Sequence, residues 1–137
     1  MPVGPSLRQL HAHQAIHHSG LAGAKSKTEE VEQFYSSGDL ELAEQATAEL
    51  LEYWESRILS HADAEEDGFY QEAVEKNPAL QDVVLQLKRD HELMRIVVKS
   101  IHQLRETPGW NVEILHKLYA LLEINEIHSR EEERLLF

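Results

Sequence analysis

Three short breaks divide an otherwise continuous helical pattern of apolar residues. Apolar side chains recur every three or four residues in four segments, and the alternating Val/Ile/Thr-rich runs typical of strands are absent. The segments are separated by "SSGD" at residues 36–39, "KNP" at 76–78 and "TPGW" at 107–110. Because short connections make consecutive helices antiparallel, the sequence predicts an all-α, up-down-up-down four-helix bundle. We expect residues 1–137 to form one domain.

Capping residues indicate where each helix begins. Ser6 is suited to cap the first helix, Asp39 the second and Asn111 the fourth. Asn77 followed by Pro78 is expected to open the third helix, because proline is favoured in the first helical turn.

Composition excludes several classes of partner. The chain has 13 Lys and Arg against 25 Asp and Glu, a net charge of −12, which disfavours nucleic acid and anionic membrane surfaces. Without cysteine, a bound metal must be held by His, Asp or Glu. No signal-like N-terminus and no membrane-length apolar run is present, so we expect a cytoplasmic protein. The sequence leaves its oligomeric state open.

One motif occurs twice, as "HADAEEDGFY" from residue 61 and "HSREEERLLF" from residue 128. Each begins with His followed four residues later by Glu, giving His61 with Glu65 and His128 with Glu132. Both pairs continue the apolar stripe of their helix, so both are predicted to face the core. His and Glu spaced i, i+4 lie one turn apart and reach a common point. Burying them unpaired is costly, and a shared cation removes that cost.

Two further histidines match this level of the bundle. In an antiparallel pair of helices, residues at the same depth have their sequence midpoint at the turn. The midpoints of His13–His61, His61–His91 and His91–His128 fall at residue 37, at residue 76 and between residues 109 and 110, each inside a break. The four histidines are therefore predicted to meet in one layer. A single histidine on an apolar face is more often a hydrogen-bonded core residue, so the prediction of a ligand rests on the shared level of the four.

The midpoint test and the helix face separate the remaining histidines into one possible ligand and four surface or rim residues. His17 passes it with His61 and is a reserve ligand one turn from His13. Four others are predicted to lie at the surface or rim of the bundle, namely His11, His18, His102 and His116.

Four imidazoles and two carboxylates exceed what one small cation needs. Two iron ions bridged by Glu65 and Glu132 fit the inventory best, and manganese or zinc are alternatives for the same nitrogen and oxygen donors. A metal-free bundle with buried His–Glu hydrogen bonds is the structural alternative. Six apolar residues are predicted to line the site and to leave room only for small ligands: Ile16, Trp54, Ile58, Met94, Val98 and Ile124.

These motifs resemble the hemerythrin-like, or HHE cation-binding, domain family along the whole chain. The resemblance rests on "HAHQAI", "HADAE", "DHELM" and "HSREEERLLF", in that order. It implies a non-heme di-iron centre bridged by Glu65 and Glu132. It also implies that one iron lies nearer His13 and His61, and the other nearer the remaining two histidines of the layer, His91 and His128.

The chain departs from the oxygen-carrying hemerythrins at two places. Arg95 stands where those proteins have a second histidine in the third helix, and Glu132 follows His128 by four residues where they have Asp after five. The pattern is more similar to an iron-sensing ubiquitin-ligase subunit or to bacterial HHE proteins. A coordination position is left for solvent, a small ligand or His17. Arg95 is expected to pair with a nearby acid such as Glu65 or Glu92, and a catalytic role is the alternative.

The predicted function is binding or sensing of dioxygen, nitric oxide, peroxide or iron itself at this site. The alternatives are an enzyme that consumes peroxide or reduces oxygen, and a purely structural bundle that is metal-free or holds zinc. Tyr53, Tyr70 and Tyr119 are close enough in sequence for redox chemistry, although their helical spacing favours packing.

Overall fold

A computed structural model describes residues 9–137 as four helices. They are α1 (Leu10–Ser36), α2 (residues 40–76), α3 (Gln81–Arg105) and α4 (Val112–Leu136). No strand occurs among the described residues, so the all-α four-helix prediction is confirmed. Helix α1 packs against α2 and α4, and α3 packs against α4. Within the described part of the chain, no helix has both the length and the apolar character needed to cross a membrane.

Two turns at one end of the bundle rely on glycine and on capping side chains. Gly38 and Gly109 have φ of 80° and 91°, a left-handed conformation that glycine adopts without strain. The Asp39 side chain accepts a 3.2 Å hydrogen bond from the amide three residues later. Asn111 accepts one of 2.8 Å from the amide two residues later. Both predicted caps are therefore confirmed.

The turn at the other end differs slightly from the prediction. Asn77 accepts a 3.2 Å hydrogen bond from the amide of Ala79, but the segment it caps is a 3-10 turn, Pro78–Leu80. The α-helix itself begins at Gln81. The predicted cap at Ser6 lies outside the described residues.

Helix α2 is interrupted by two π-helical stretches, which the sequence pattern did not predict. The order is Leu40–Tyr53 (α), Trp54–Leu59 (π), Ser60–Ala64 (α), Glu65–Phe69 (π) and Tyr70–Lys76 (α). A π turn closes hydrogen bonds from i to i+5, so residues five apart come to share a face. Glu65 and Tyr70 are such a pair, and both are buried.

The apolar core is divided into two clusters. The larger lies toward the turns at residues 36–39 and 106–111 and includes Leu50, Trp54, Ile101 and Leu118. The smaller lies toward residue 77 and contains Phe69, Tyr70, Val84 and Leu87. The predicted polar layer at residues 61, 91 and 128 falls between the two clusters in sequence on α2, α3 and α4, so apolar packing lies on both sides of it there.

Helix α1 packs closely on α2 at Gly20 and Gly23. The Tyr53 hydroxyl donates a 2.8 Å hydrogen bond to the carbonyl oxygen of Gly20. A methyl group added at Gly23 would overlap that hydroxyl. The absence of a side chain at residue 23 therefore lets Tyr53 lie flat against α1.

Candidate metal centre

The structure brings all six predicted ligands together inside the bundle. Five of them are almost completely buried, with exposed fractions of 3% or less: His13, Glu65, His91, His128 and Glu132. The side chain of His61 is 18% exposed and lies at the edge of the layer. The side chains come from all four helices, as the midpoint analysis predicts.

The donor atoms form two groups that share a carboxylate. Within each group, one donor atom per residue lies within 4.8 Å of the others. The first group contains His13, His17, His61 and Glu65, and the second contains Glu65, His91, His128 and Glu132. His17, the reserve ligand, thus belongs to the first group.

Glu65 faces both groups with different oxygen atoms. Its Oε2 lies 3.0 Å from Nε2 of His13 and 3.4 Å from Nε2 of His61. Its Oε1 lies 3.2 Å from Nε2 of His91. A carboxylate divided in this way is arranged to bridge two ions.

The two carboxylate oxygens of Glu132 also face different groups. Its Oε1 lies close to Nε2 of His13 and 3.2 Å from Nε2 of His17, in the first group. Its Oε2 lies 3.3 Å from Nε2 of His128 and accepts a hydrogen bond from the hydroxyl of Tyr70. The structure therefore places one oxygen of each carboxylate beside each group of imidazoles.

Three further carboxylates orient the imidazole rings from outside. Nδ1 of His17 lies 2.8 Å from Glu133, Nδ1 of His91 lies 2.8 Å from Glu66, and Nδ1 of His128 lies 2.9 Å from Asp90. An ionised carboxylate only accepts, so each Nδ1 carries the hydrogen, and a ring in its neutral form directs an Nε2 lone pair inward. This outer arrangement is typical of histidines that bind metals.

The spacing of two of these nitrogens fits a shared cation. Nε2 of His91 and Nε2 of His128 are 3.0 Å apart. Two lone pairs at this distance repel unless a proton or a cation lies between them. Imidazole nitrogens bound to one ion at ~2.1 Å each and ~90° apart are separated by about 3 Å, so the pair has a suitable spacing for cis ligands.

The surroundings of Glu65 and Glu132 favour the negative charge of both carboxylates. Burial and Glu132 act to raise the pKa of Glu65, but contacts with the imidazoles of His13 and His61 outweigh them, and the pKa lies below its usual value. Burial is likewise outweighed at Glu132, where hydrogen bonds hold the pKa well below its usual range. Burial would lower the pKa of His128, but Asp90 and Glu132 raise it to about 9. Positive charge is thus favoured beside Glu65 and Glu132.

Three fully buried side-chain polar atoms have no hydrogen-bond partner among the described residues. They are Nε1 of Trp54, Nε2 of His61 and Oε1 of Glu132. The contacts between Glu132 Oε1 and the nearby histidines lack hydrogen-bond geometry. Unsatisfied buried atoms of this kind are rare, and two of these three belong to predicted ligands. The residues therefore fit a bound pair of cations.

Arg95 binds carboxylates at the edge of the layer. It contacts Asp63 at 2.7 Å, Glu66 at 2.7 Å and Glu92 at 3.4 Å. The expected pairing with Glu92 is confirmed, but the alternative with Glu65 is wrong, because Glu65 faces the interior and its neighbour Glu66 faces Arg95. Burial acts to raise the pKa of Glu66, but hydrogen bonds from Arg95 and His91 outweigh it and hold that pKa below its usual value.

The tyrosines have different environments. Tyr70 is fully buried, with its hydroxyl bonded to Glu132 and 3.5 Å from Nε2 of His91. Helical spacing favoured packing for this residue, and only the unpredicted π stretch brings its hydroxyl into the layer. Tyr53 bonds to the backbone of α1, and Tyr119 bonds to Glu32 at the surface.

The four histidines predicted to lie at the surface or rim are exposed, and these are His11, His18, His102 and His116. His102 lies 2.7 Å from Glu55, far from the layer. These four therefore contribute nothing to the candidate site.

A small cavity of about 40 Å³ adjoins both donor groups. Of the predicted apolar walls, Ile16, Ile58 and Met94 line it, whereas the other three, Trp54, Val98 and Ile124, do not. Four imidazoles also line it, those of His17, His61, His91 and His128. The volume is enough for a molecule of two or three heavy atoms.

Comparison of the chain with family models, with curated proteins and with solved structures gave no match. The functional conclusion consequently rests on the geometry of the site.

Proposed function

We propose that the chain is a hemerythrin-like, non-heme di-iron protein that binds a small ligand, namely dioxygen, nitric oxide or peroxide. The supporting observation is that Glu65 and Glu132 each have one carboxylate oxygen beside each group of imidazoles. One ion would leave half of these four oxygen atoms without a bound cation. Two ions use all of them.

The donor set favours iron over other ions. Imidazole and carboxylate without thiolate suit iron and manganese, with zinc as a third alternative. His13, His17 and His61 would hold one ion, His91 and His128 the other, and the two glutamates would bridge. Bound iron supplies a Lewis-acidic, redox-active position for a ligand in the adjoining cavity.

The surrounding residues determine which molecules reach this position. The cavity is small and has Ile16, Ile58 and Met94 on one side, so bulky molecules are excluded. Carboxylates outside the imidazoles keep the rings in place when no ligand is bound. The bundle therefore provides a prearranged site that binds small molecules without a large change in structure.

Metal analysis tests the proposal most directly. Protein loaded with ferrous iron and desalted should contain close to two irons per chain, and Mössbauer spectra of the oxidised protein should show a spin-coupled pair. Glu65→Gln should reduce the content to one or none. Glu126→Gln removes an exposed carboxylate on α4 and serves as the control. Single occupancy in the unmodified protein, or full occupancy in Glu65→Gln, contradicts the proposal.

Tyr70 specifically favours the enzymatic alternative, a peroxide-consuming or oxygen-reducing protein. Its buried hydroxyl is bonded to a proposed bridging carboxylate and so places a proton donor beside the ions. Under the enzymatic alternative, the iron-loaded protein decomposes peroxide repeatedly and Tyr70→Phe slows each turnover. Ligand binding without turnover supports the binding role instead.

A further inference from the structure

A buried amide on α4 has no hydrogen-bond partner in the described part of the chain. Asn125 is 7% exposed and occupies a position of the apolar stripe, one turn before His128. Its side chain forms no hydrogen bond with any described residue. Its amide atoms keep some accessible surface but meet no partner on the described protein, and a leucine here would continue the stripe formed by Leu118 and Leu121. The amide therefore calls for an explanation beyond packing.

Asn125 lines the same cavity as the donor imidazoles. It is the one neutral amide among the cavity's described lining residues, which also include apolar side chains, the proposed ligands and Arg57. The Arg57 guanidinium donates to the hydroxyl of Ser19 at 2.8 Å, at an exposed position. A molecule inside the cavity would thus meet imidazoles, apolar groups and one neutral amide able to donate a hydrogen bond.

We propose that the side-chain amide of Asn125 donates a hydrogen bond to the small ligand held in this cavity, and so determines which ligands bind. This inference rests on the proposed function and adds the ligand class. The preferred ligand has a terminal oxygen or nitrogen with an exposed lone pair, as in nitric oxide, peroxide or azide. Carbon monoxide, a weak acceptor of similar size, gains little from the amide, because such a site discriminates against molecules that leave its polar group unpaired.

The first test measures the metal-free protein. Asn125→Leu should raise the melting temperature, because it replaces an unpaired buried amide by an apolar side chain. Thr47→Val is the matched control for a buried polar group with partners. The Thr47 hydroxyl donates to the carbonyl of Ala43 at 2.7 Å and accepts from Trp110 at 3.1 Å, so its loss should lower the melting temperature. A fall in Asn125→Leu comparable to that of Thr47→Val would show that the amide is structural and overturn the inference.

The second test measures azide binding to the iron-loaded protein by spectrophotometric titration. Asn125→Leu and Asn125→Ala should both weaken azide binding by about tenfold, the loss expected for one hydrogen bond to a charged acceptor. They should also shift the infrared asymmetric stretch of bound azide. Alanine enlarges the cavity, so weaker binding in that variant cannot be due to steric exclusion.

The outcomes separate this inference from the proposed function. If the unmodified protein binds two irons and azide, and both Asn125 variants keep the same azide affinity and stretch, only the role of Asn125 is overturned. If the unmodified protein binds no iron, the proposed function is overturned together with this inference. Retention of two irons in both variants, with weaker azide binding, supports both.

Discussion

Replacement of Asp90 tests whether the outer carboxylates prepare the site for metal. Asp90 accepts the Nδ1 hydrogen of His128 at 2.9 Å and so fixes which ring nitrogen faces the interior. Loss of such an outer partner typically weakens metal binding 10- to 100-fold, or about 1.4–2.8 kcal/mol. The Asp90 side chain is 32% exposed, so water can partly replace the carboxylate. We therefore expect Asp90→Asn to weaken binding about tenfold, at the lower end of that range.

The assay is competition for ferrous or zinc ion against a coloured chelator. Glu126→Gln is the control, since it removes the same charge two residues from His128 but from an exposed position. Affinity in Asp90→Asn should fall well below that of Glu126→Gln. If the two variants bind metal within twofold of one another, the carboxylate acts only through its charge and the orienting role is refuted.

Three further predictions follow from particular contacts. Chelation should lower the melting temperature in a calorimetric scan by roughly 10 °C, because metal at about a hundredfold excess over Kd adds about 2.7 kcal/mol to the free energy of unfolding. An unchanged melting temperature would leave only the structural bundle. Gly20→Ala should raise the free energy of unfolding in urea by up to about 1 kcal/mol, because the added methyl group makes only an ordinary contact. Gly23→Ala should lower it, because the added methyl group displaces the Tyr53 hydroxyl. The reverse order would contradict this packing. A hydrogen bond to Glu32 raises the pKa of Tyr119 to about 12. This bond therefore stabilises the fold fully below pH ~10 and is lost as the pH rises through about 12. Ultraviolet titration of Glu32→Gln should show the pKa of Tyr119 fall toward 10.

Helix register was predictable because the turns are short. A connection of a few residues fixes the depth of each helix relative to the next, so sequence midpoints sufficed to bring His13, His61, His91 and His128 to one layer. The same reasoning correctly assigned the exposed histidines, since a residue at the wrong depth or on the wrong face cannot reach the layer.

The sequence could not predict features that depend on departures from the regular helix. The π stretch at Glu65–Phe69 changes the face on which Tyr70 lies, and no local residue pattern signals it. The outer carboxylates were missed for another reason, because Glu66 and Asp90 adjoin ligands in sequence and look like ordinary solvated residues. Asn125 did leave a signal, a polar residue within the apolar stripe of α4 that no capping or turn role explains.

The outer carboxylates also weigh against the metal-free structural alternative. Glu66 and Asp90 take the Nδ1 hydrogens of His91 and His128, so these rings can donate inward only if they are imidazolium. Two imidazolium rings would then place two Nε2 hydrogens toward each other across 3.0 Å. Protonating only one relieves that clash but leaves this pair of rings with a single positive charge beside two buried carboxylates. Cations bound to the Nε2 lone pairs satisfy the imidazoles and neutralise Glu65 and Glu132 together, and binding them releases the proton that otherwise holds the layer together.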